Sequence, residues 1–135
     1  MTAVADRRWR SALFAPANQP ALVPKLPRSN ADVVVLDLED AVPQTHKGEA
    51  RELVMPALDE LARTMPDALL AVRINAVDTP HLHADLTCLA ASRVAALFVP
   101  KLASHHDVAL VRSGAREVGF AAVPLIVAGI ETALG

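Results

Sequence analysis

The sequence predicts an α/β protein built on a parallel sheet, and three observations carry that prediction. The stretch Val33-Val34-Val35-Leu36 is a continuous apolar run of mostly β-branched residues, closed by the carboxylate of Asp37. Such a run suits a strand covered on both faces rather than a half-solvated one. Four more short apolar runs alternate with segments of helical period, and that alternation makes parallel strands joined by right-handed crossovers. Ionisable residues then close most of the runs, at the strand ends where ligands bind in parallel α/β folds.

Residues 1–9 read as a loose lead-in. Residues 11–15 (SALFA) form the first strand candidate, closed by Pro16. Asn18-Gln19-Pro20 resembles a helix start, with Asn18 as cap and Pro20 near the first turn. Pro24 and Pro27 follow, so this helix is expected to be short or broken. The second strand is Val33 to Asp37, and Pro43-Gln44 make the turn out of it. Thr45 is the expected N-cap of the strongest helix, whose apolar stripe is Ala50, Leu53, Val54, Ala57, Leu58, Leu61, Ala62 and Met65. Pro56 lies inside that stripe and is expected to kink or split it. Residues 69–74 (LLAVRI) are the third strand, and Thr79-Pro80 opens a helix carrying Leu82, Leu86 and Leu89. Residues 95–99 (AALFV) are the fourth strand. Ser104 with Asp107 resembles a capping box for a helix running to about Glu117 and stopped by Gly119. Residues 123–130 are the fifth strand, followed by Glu131-Thr132.

Composition narrows the class. At 135 residues the chain is long enough for one domain with a real core. It holds 13 basic and 15 acidic residues, one Trp, three Phe and no Tyr. Near-neutral charge and scarce aromatics argue against nucleic acid as a partner. The apolar runs are too short to span a bilayer, so no membrane role is expected. Cys88 is the only cysteine, which excludes an internal disulfide and fits a reducing cytoplasm. Two architectures compete. Five strands complete an open doubly wound sheet, whereas a (β/α)8 barrel needs about 250 residues; on length alone the open sheet is favoured. Pro16-Ala17-Asn18 has no glycine, so neither a dinucleotide fingerprint nor a P-loop follows the first strand.

The strand ends carry the chemistry: Asp37, Glu39 and Asp40; Arg73 and Asn75; Lys101; Glu131, with Arg10 just before the first strand. Carboxylates suit a hard cation such as Mg2+, which keeps waters and takes one or two protein carboxylates. Arg suits two-pronged capture of a substrate carboxylate. In order and rough spacing, Arg10-Ser11-x-Leu13-Phe14-x-Pro16, Asp37-Leu38-Glu39-Asp40-Ala41-Val42, Lys47-x-x-Ala50-Arg51, Val72-Arg73-Ile74-Asn75, Asp85-Leu86, Val99-Pro100-Lys101 and Ile130-Glu131-Thr132-Ala133-x-Gly135 resemble the citrate lyase β-subunit/malyl-CoA lyase family.

That resemblance implies a (β/α)8 TIM barrel of the phosphoenolpyruvate/pyruvate type. The chain would supply about its first five β/α units, as the N-terminal part of a single domain. It also implies a Mg2+-dependent carbon–carbon lyase that acts on a 3-hydroxyacyl-CoA such as citryl-CoA or malyl-CoA, with a keto acid as the other ligand. By the same carry-over Glu131 resembles a metal ligand, and Arg73 the residue that grips the keto acid. Glu39 and Asp40 resemble the groups that hold the metal's waters, and Arg10, Phe14 and Pro16 substrate or coenzyme A contacts. The family's second metal carboxylate follows the sixth strand and is not in these 135 residues. A partial barrel would expose strand faces and edges, so a homo-oligomer is expected. The alternative is a non-catalytic half-barrel that works only by association with another chain.

Simpler roles stand beside these. Asp37, Glu39 and Asp40 can cap the next helix, Arg73 can make a surface ion pair, and Glu131 can be an acid favoured at a helix start. The ordered set of motifs favours site roles for Glu39, Asp40, Arg73 and Glu131, and leaves Asp37 open. Lys101 reads as structural, and Asn75 as shaping its turn. His81/His83 and His105/His106 match no zinc spacing, and Cys88 reads as a small buried hydrophobe on a helix.

Overall fold

A computed structural model describes residues 4–133. Five strands form one all-parallel sheet in sequential order: β1 (Ala12–Pro16), β2 (Val33–Asp37), β3 (Leu69–Arg73), β4 (Ala96–Val99) and β5 (Leu125–Ala128). A sheet wound 1-2-3-4-5 has no point where the order reverses, so the doubly wound arrangement that length favoured is not formed. Every residue of β2 is buried, as the unbroken apolar run predicted.

The helices account for the burial of one face. Between β1 and β2 lies a 3-10 helix, Pro20–Ser29, and between β2 and β3 a short 3-10 turn, Gln44–His46, leads into α1 (Lys47–Thr64). α2 (Leu82–Leu89) and α3 (His105–Glu117) follow β3 and β4. Val54, Leu58 and Leu61 of α1, Leu86 and Leu89 of α2 and Val111 of α3 share one core with Val34, Leu36, Val72 and Leu97 of the sheet. On the opposite face Val33, Val35, Leu69, Ala71 and Ala96 form a second cluster, against which Val4 and Trp9 pack. Residues 4–9 are therefore not a loose lead-in: Val4–Asp6 form a 3-10 turn, and Trp9 stacks on Phe98 with ring centroids 6.3 Å apart. The rest of that lead-in, residues 1–3, lies outside the described residues, as does Gly135 of the last motif.

Local chemistry explains where the elements depart from expectation. The Pro-rich segment is one continuous 3-10 helix, not a broken α-helix. Prolines at 20, 24 and 27 cannot donate a helical bond, while the three-residue repeat keeps Val23 and Leu26 on one buried side. Asn30 ends it in the left-handed region at φ 50°. Asn18 does not cap it; Gln19 holds that position, without a side-chain bond. Thr45 likewise does not cap α1, because the 3-10 turn carries the chain into the helix and His46 takes the cap position. Pro56 neither ends nor splits α1: it lies on the exposed side, where water can satisfy the carbonyl it leaves free. α2 starts later than Thr79-Pro80 suggested, with Thr79 Oγ1 donating instead to the Ala76 carbonyl at 2.7 Å. α3 matches its expected start and stop. Asp107 accepts from the Ser104 and Ala103 N–H groups at 3.2 and 2.9 Å, and Gly119 turns the chain at φ 96°. Among the described residues no helix is long and apolar enough to cross a membrane.

Leu36 is fully buried in β2, whereas Leu110 of α3 is largely exposed. Leu36→Ala is expected to cost about 2–5 kcal/mol by chemical denaturation, and Leu110→Ala less than about 0.5 kcal/mol. Equal losses at the two positions would contradict this placement of the core.

Candidate active site at the C-terminal ends of the strands

Register assembles the site. Pro16, Asp37, Arg73, Phe98 and Val127 are successive partners across β1 to β5, and partners on neighbouring strands share a face. This row closes the C-terminal end of the face carrying Val35, Ala71 and Ala96. Asp37 is fully buried there and accepts four hydrogen bonds. Arg73 Nε donates to Oδ1 at 2.8 Å and Nη2 to Oδ2 at 2.6 Å. The backbone N–H groups of Glu39 and Ala41 add one each, both at 2.9 Å. Burial alone would push the Asp37 carboxyl up, but Arg73 and the two N–H groups outweigh it and hold the group below its ordinary value. Asp37, whose role the sequence left open, is thus the anchor of Arg73.

Arg73 is gripped along one edge only. Its remaining N–H groups have no acceptor among the described residues, and its guanidinium lies over the Phe14 ring at 5.0 Å from the centroid. Phe14 meets Phe98 edge-on at 5.5 Å. Phe14, Arg73, Phe98, Val127, Gly129 and Glu131 line one cavity of about 240 Å³. Gly129 lets the chain close on that cavity. A Cβ there would come within 2.9 Å of the Val99 carbonyl oxygen, 3.1 Å of Pro100 Cα and 3.1 Å of Glu131 Oε1, so only glycine fits without moving backbone. The Gly129 N–H donates to Val99 O at 2.7 Å.

Glu39 and Asp40 face a neighbouring cavity of about 290 Å³, which they line with Lys47, Asn75, Thr79 and Lys101. Lys101 Nζ donates to Glu39 Oε2 at 3.2 Å and to Asp40 Oδ1 at 3.4 Å, from a left-handed backbone at φ 53°. Burial and the neighbouring Asp40 carboxylate push the Glu39 carboxyl up despite Lys101; Asp40 moves down. The Glu39 side chain is only 6% exposed, and its Oε1 is buried without a hydrogen-bond partner.

Arg10 is not brought to this rim. It precedes β1, at the opposite end of the strands, and its 79% exposed side chain pairs with Asp32 at 2.8 Å. That pair holds the Asp32 carboxyl down at about 2. Phe14 and Pro16 stand at the rim through their place on β1. Sequence reasoning missed Phe98, Gly129 and the role of Lys47. Lys47 stood in the Lys47-x-x-Ala50-Arg51 motif without a role, and Phe98 falls on the inward positions once β4 is set in register with Arg73.

The rim holds oxygen donors of the kind a hard cation takes, divided between the two cavities. Its carboxylates, Glu39, Asp40 and Glu131, offer oxygen donors only, and one Glu39 oxygen is unpartnered. Among the described residues no group of three or more His, Cys, Asp or Glu side chains is arranged to hold a metal ion.

A model of the HpcH/HpaI aldolase/citrate lyase family matches residues 10–135. The chain belongs to this family. A citrate lyase subunit beta-like protein of Deinococcus radiodurans is 40% identical over 129 residues, covering 93% of this chain and 44% of that protein. An L-malyl-CoA/beta-methylmalyl-CoA lyase of Cereibacter sphaeroides is 39% identical over 102 residues, 73% of this chain and 31% of its own length. The citrate lyase beta subunit of Mycobacterium tuberculosis, solved with oxaloacetate and magnesium, superposes with a TM-score of 0.67 at 33% identity, over 92% of this chain and 48% of that one. A structure of the M. tuberculosis protein with magnesium, acetoacetate and coenzyme A gives a TM-score of 0.71 at 29% identity, over 95% and 43%. The chain thus spans less than half the length of these relatives.

Removing Arg73 leaves a buried, unpaired Asp37. Arg73→Ala is expected to cost about 3–5 kcal/mol at pH 7. Asp37 has a native pKa below its unfolded value of about 3.9. Its contribution is therefore complete above that value and lost as pH falls through the native one. The gap between wild type and Arg73→Ala, measured by urea denaturation from pH 7 to pH 3, should narrow on acidification; a constant gap would contradict the pairing.

Proposed function

We propose that this chain forms the first five β/α units, the N-terminal part, of a (β/α)8-barrel carbon–carbon lyase of the citrate lyase β-subunit kind. Its substrate is a 3-hydroxyacyl-CoA such as citryl-CoA or malyl-CoA, cleaved or formed by retro-Claisen or Claisen chemistry. Sequential strand order and likeness to the citrate lyase structures support the barrel reading. The observation that carries the functional reading is that Arg73 and Glu131, from separate strand ends, line one cavity floored by Phe14.

Each residue has a physical task in this reading. Asp37 holds one edge of the Arg73 fork, so the other edge is already aimed when a keto-acid carboxylate arrives, and little ordering remains to be done. Phe14 supports one face of the guanidinium and Phe98 braces Phe14 edge-on, so the fork is held flat in the pocket. Pro16 shapes the β1 end of the pocket. Glu131 would hold Mg2+, with Glu39 and Asp40 supporting it through water. When bound, that ion supplies Lewis-acid polarisation of the keto-acid carbonyl. A reducing cytoplasmic setting fits Cys88, whose thiol burial pushes up to about 12, away from reactivity.

A second reading has its own observation. β5 is an edge strand with Leu125 40% exposed, and Ile130 just beyond it is 62% exposed, so the chain could act only through association, with a second copy or another chain.

Isothermal titration with Mg2+ and oxaloacetate tests the lyase reading. Oxaloacetate is expected to bind only with Mg2+ present, and Arg73→Lys, which keeps charge but loses the fork, to weaken it at least about tenfold. Binding that is absent or indifferent to Mg2+ would overturn the reading. Sedimentation velocity addresses the second: association is expected to shift toward monomer with Leu125→Lys, and a wild-type monomer at every concentration would count against it.

A further inference from the structure

The turn that presents Glu39 and Asp40 is tied down from two sides by buried charges of opposite sign. Below, the Asp37 carboxylate takes the N–H groups of Glu39 and Ala41. Above, the Lys47 ammonium, at the first turn of α1, donates to the carbonyls of Leu38 at 2.7 Å and Glu39 at 2.6 Å. Lys47 is only 4% exposed and has no carboxylate within ion-pair distance among the described residues. Burial accordingly lowers its pKa. A lysine buried on two backbone carbonyls costs desolvation that a Met of similar shape would not.

Three further side chains complete the arrangement. Asn75 Nδ2 donates to the same Leu38 carbonyl at 3.0 Å and to Asp85 Oδ2 at 2.7 Å. Asp85, fully buried in α2, also accepts the Asn75 N–H at 2.8 Å and Arg51 Nη1 at 3.1 Å. The network joins α1 and α2 to the turns after β2 and β3, and Lys47 and Asn75 converge on the carbonyls of this turn while also lining the Glu39–Asp40 cavity. A purely structural tie between helix and sheet would not need to converge there.

We propose that Lys47, backed by the Asn75–Asp85–Arg51 network, is a positioning residue that fixes the Leu38–Glu39 peptide and so aims the Glu39 carboxylate at Lys101 and the cavity. This rests on the functional reading above for its purpose, though not for its geometry. With the ammonium gone, the two carbonyls lose their strongest donor, the turn rotates, and Glu39 leaves its buried position beside Lys101.

Lys47→Met tests this by a readout that loss of charge alone moves the other way. The Glu39 carboxyl is followed by 13C NMR titration, with Mg2+-dependent oxaloacetate affinity measured alongside. Burial is the main cause of the raised Glu39 pKa, so release of the turn lowers it toward its ordinary value, whereas removing a nearby positive charge from an intact turn raises it or leaves it unchanged. The expected result is a fall in the Glu39 pKa and at least about a tenfold loss of affinity, with the folded amide spectrum kept. An unchanged or raised Glu39 pKa with only a lower melting temperature makes Lys47 merely structural and overturns the proposal. If Lys47→Met does not fold, Asn75→Ser, which withdraws the other side-chain donor from the Leu38 carbonyl, is read by the same titration with the same two outcomes. Should wild type bind no oxaloacetate, the lyase reading fails, while the titration still decides the positioning role.

Discussion

A single buried carboxylate governs this rim. Asp37 ends a strand that is buried along its whole length, and a charge in that place is tolerable only when every oxygen is engaged. The structure meets the demand with the edge of one guanidinium and two turn N–H groups. Three consequences follow from that one requirement. Arg73 is fixed along one side and open along the other. The chain after β2 must curl back so that Glu39 and Ala41 can donate. Phe14, two residues before the register partner of Asp37, comes to lie under the guanidinium. The shape of the candidate site and the stability of β2 therefore depend on the same bond.

Charges around the rim sort into two neighbouring cavities rather than one. Arg73 and Glu131 share the first with aromatic and small apolar side chains. Glu39, Asp40 and Lys101 share the second with the polar network behind them. The proposed function puts a substrate carboxylate in the first. The second holds Glu39 at depth and Asp40 at the surface, both under one lysine. The Lys47 network matters because it fixes that depth.

Much of this was legible in the residues, and the limits have physical causes. The run Val33 to Leu36 predicted a strand buried on both sides, because nothing in it offers a polar face. The capping box at Ser104 and the stop at Gly119 were local signals and appear as read. What failed depended on local geometry and on which side of an element a residue falls, neither of which residue type alone reveals. Asn18 and Thr45 have the chemistry of caps, but neighbouring 3-10 geometry moved the helix starts. Pro56 has the chemistry of a breaker, but it falls on the solvent side. Arg10 is near Phe14 in sequence and far from it in space, because a strand separates them and Asp32 holds it at the other end. The Asp37–Arg73 bond was hidden for the opposite reason: only the parallel register of β2 and β3 sets two residues 36 apart side by side.

The coupling energy of the pair tests this account most directly. A double-mutant cycle with Asp37→Asn and Arg73→Met, read by urea denaturation at pH 7, measures what the two groups are worth to each other rather than what each is worth alone. An interaction energy of about 2 kcal/mol or more is the expected result. Single substitutions that add to within about 0.5 kcal/mol would mean that the bond does not organise the rim.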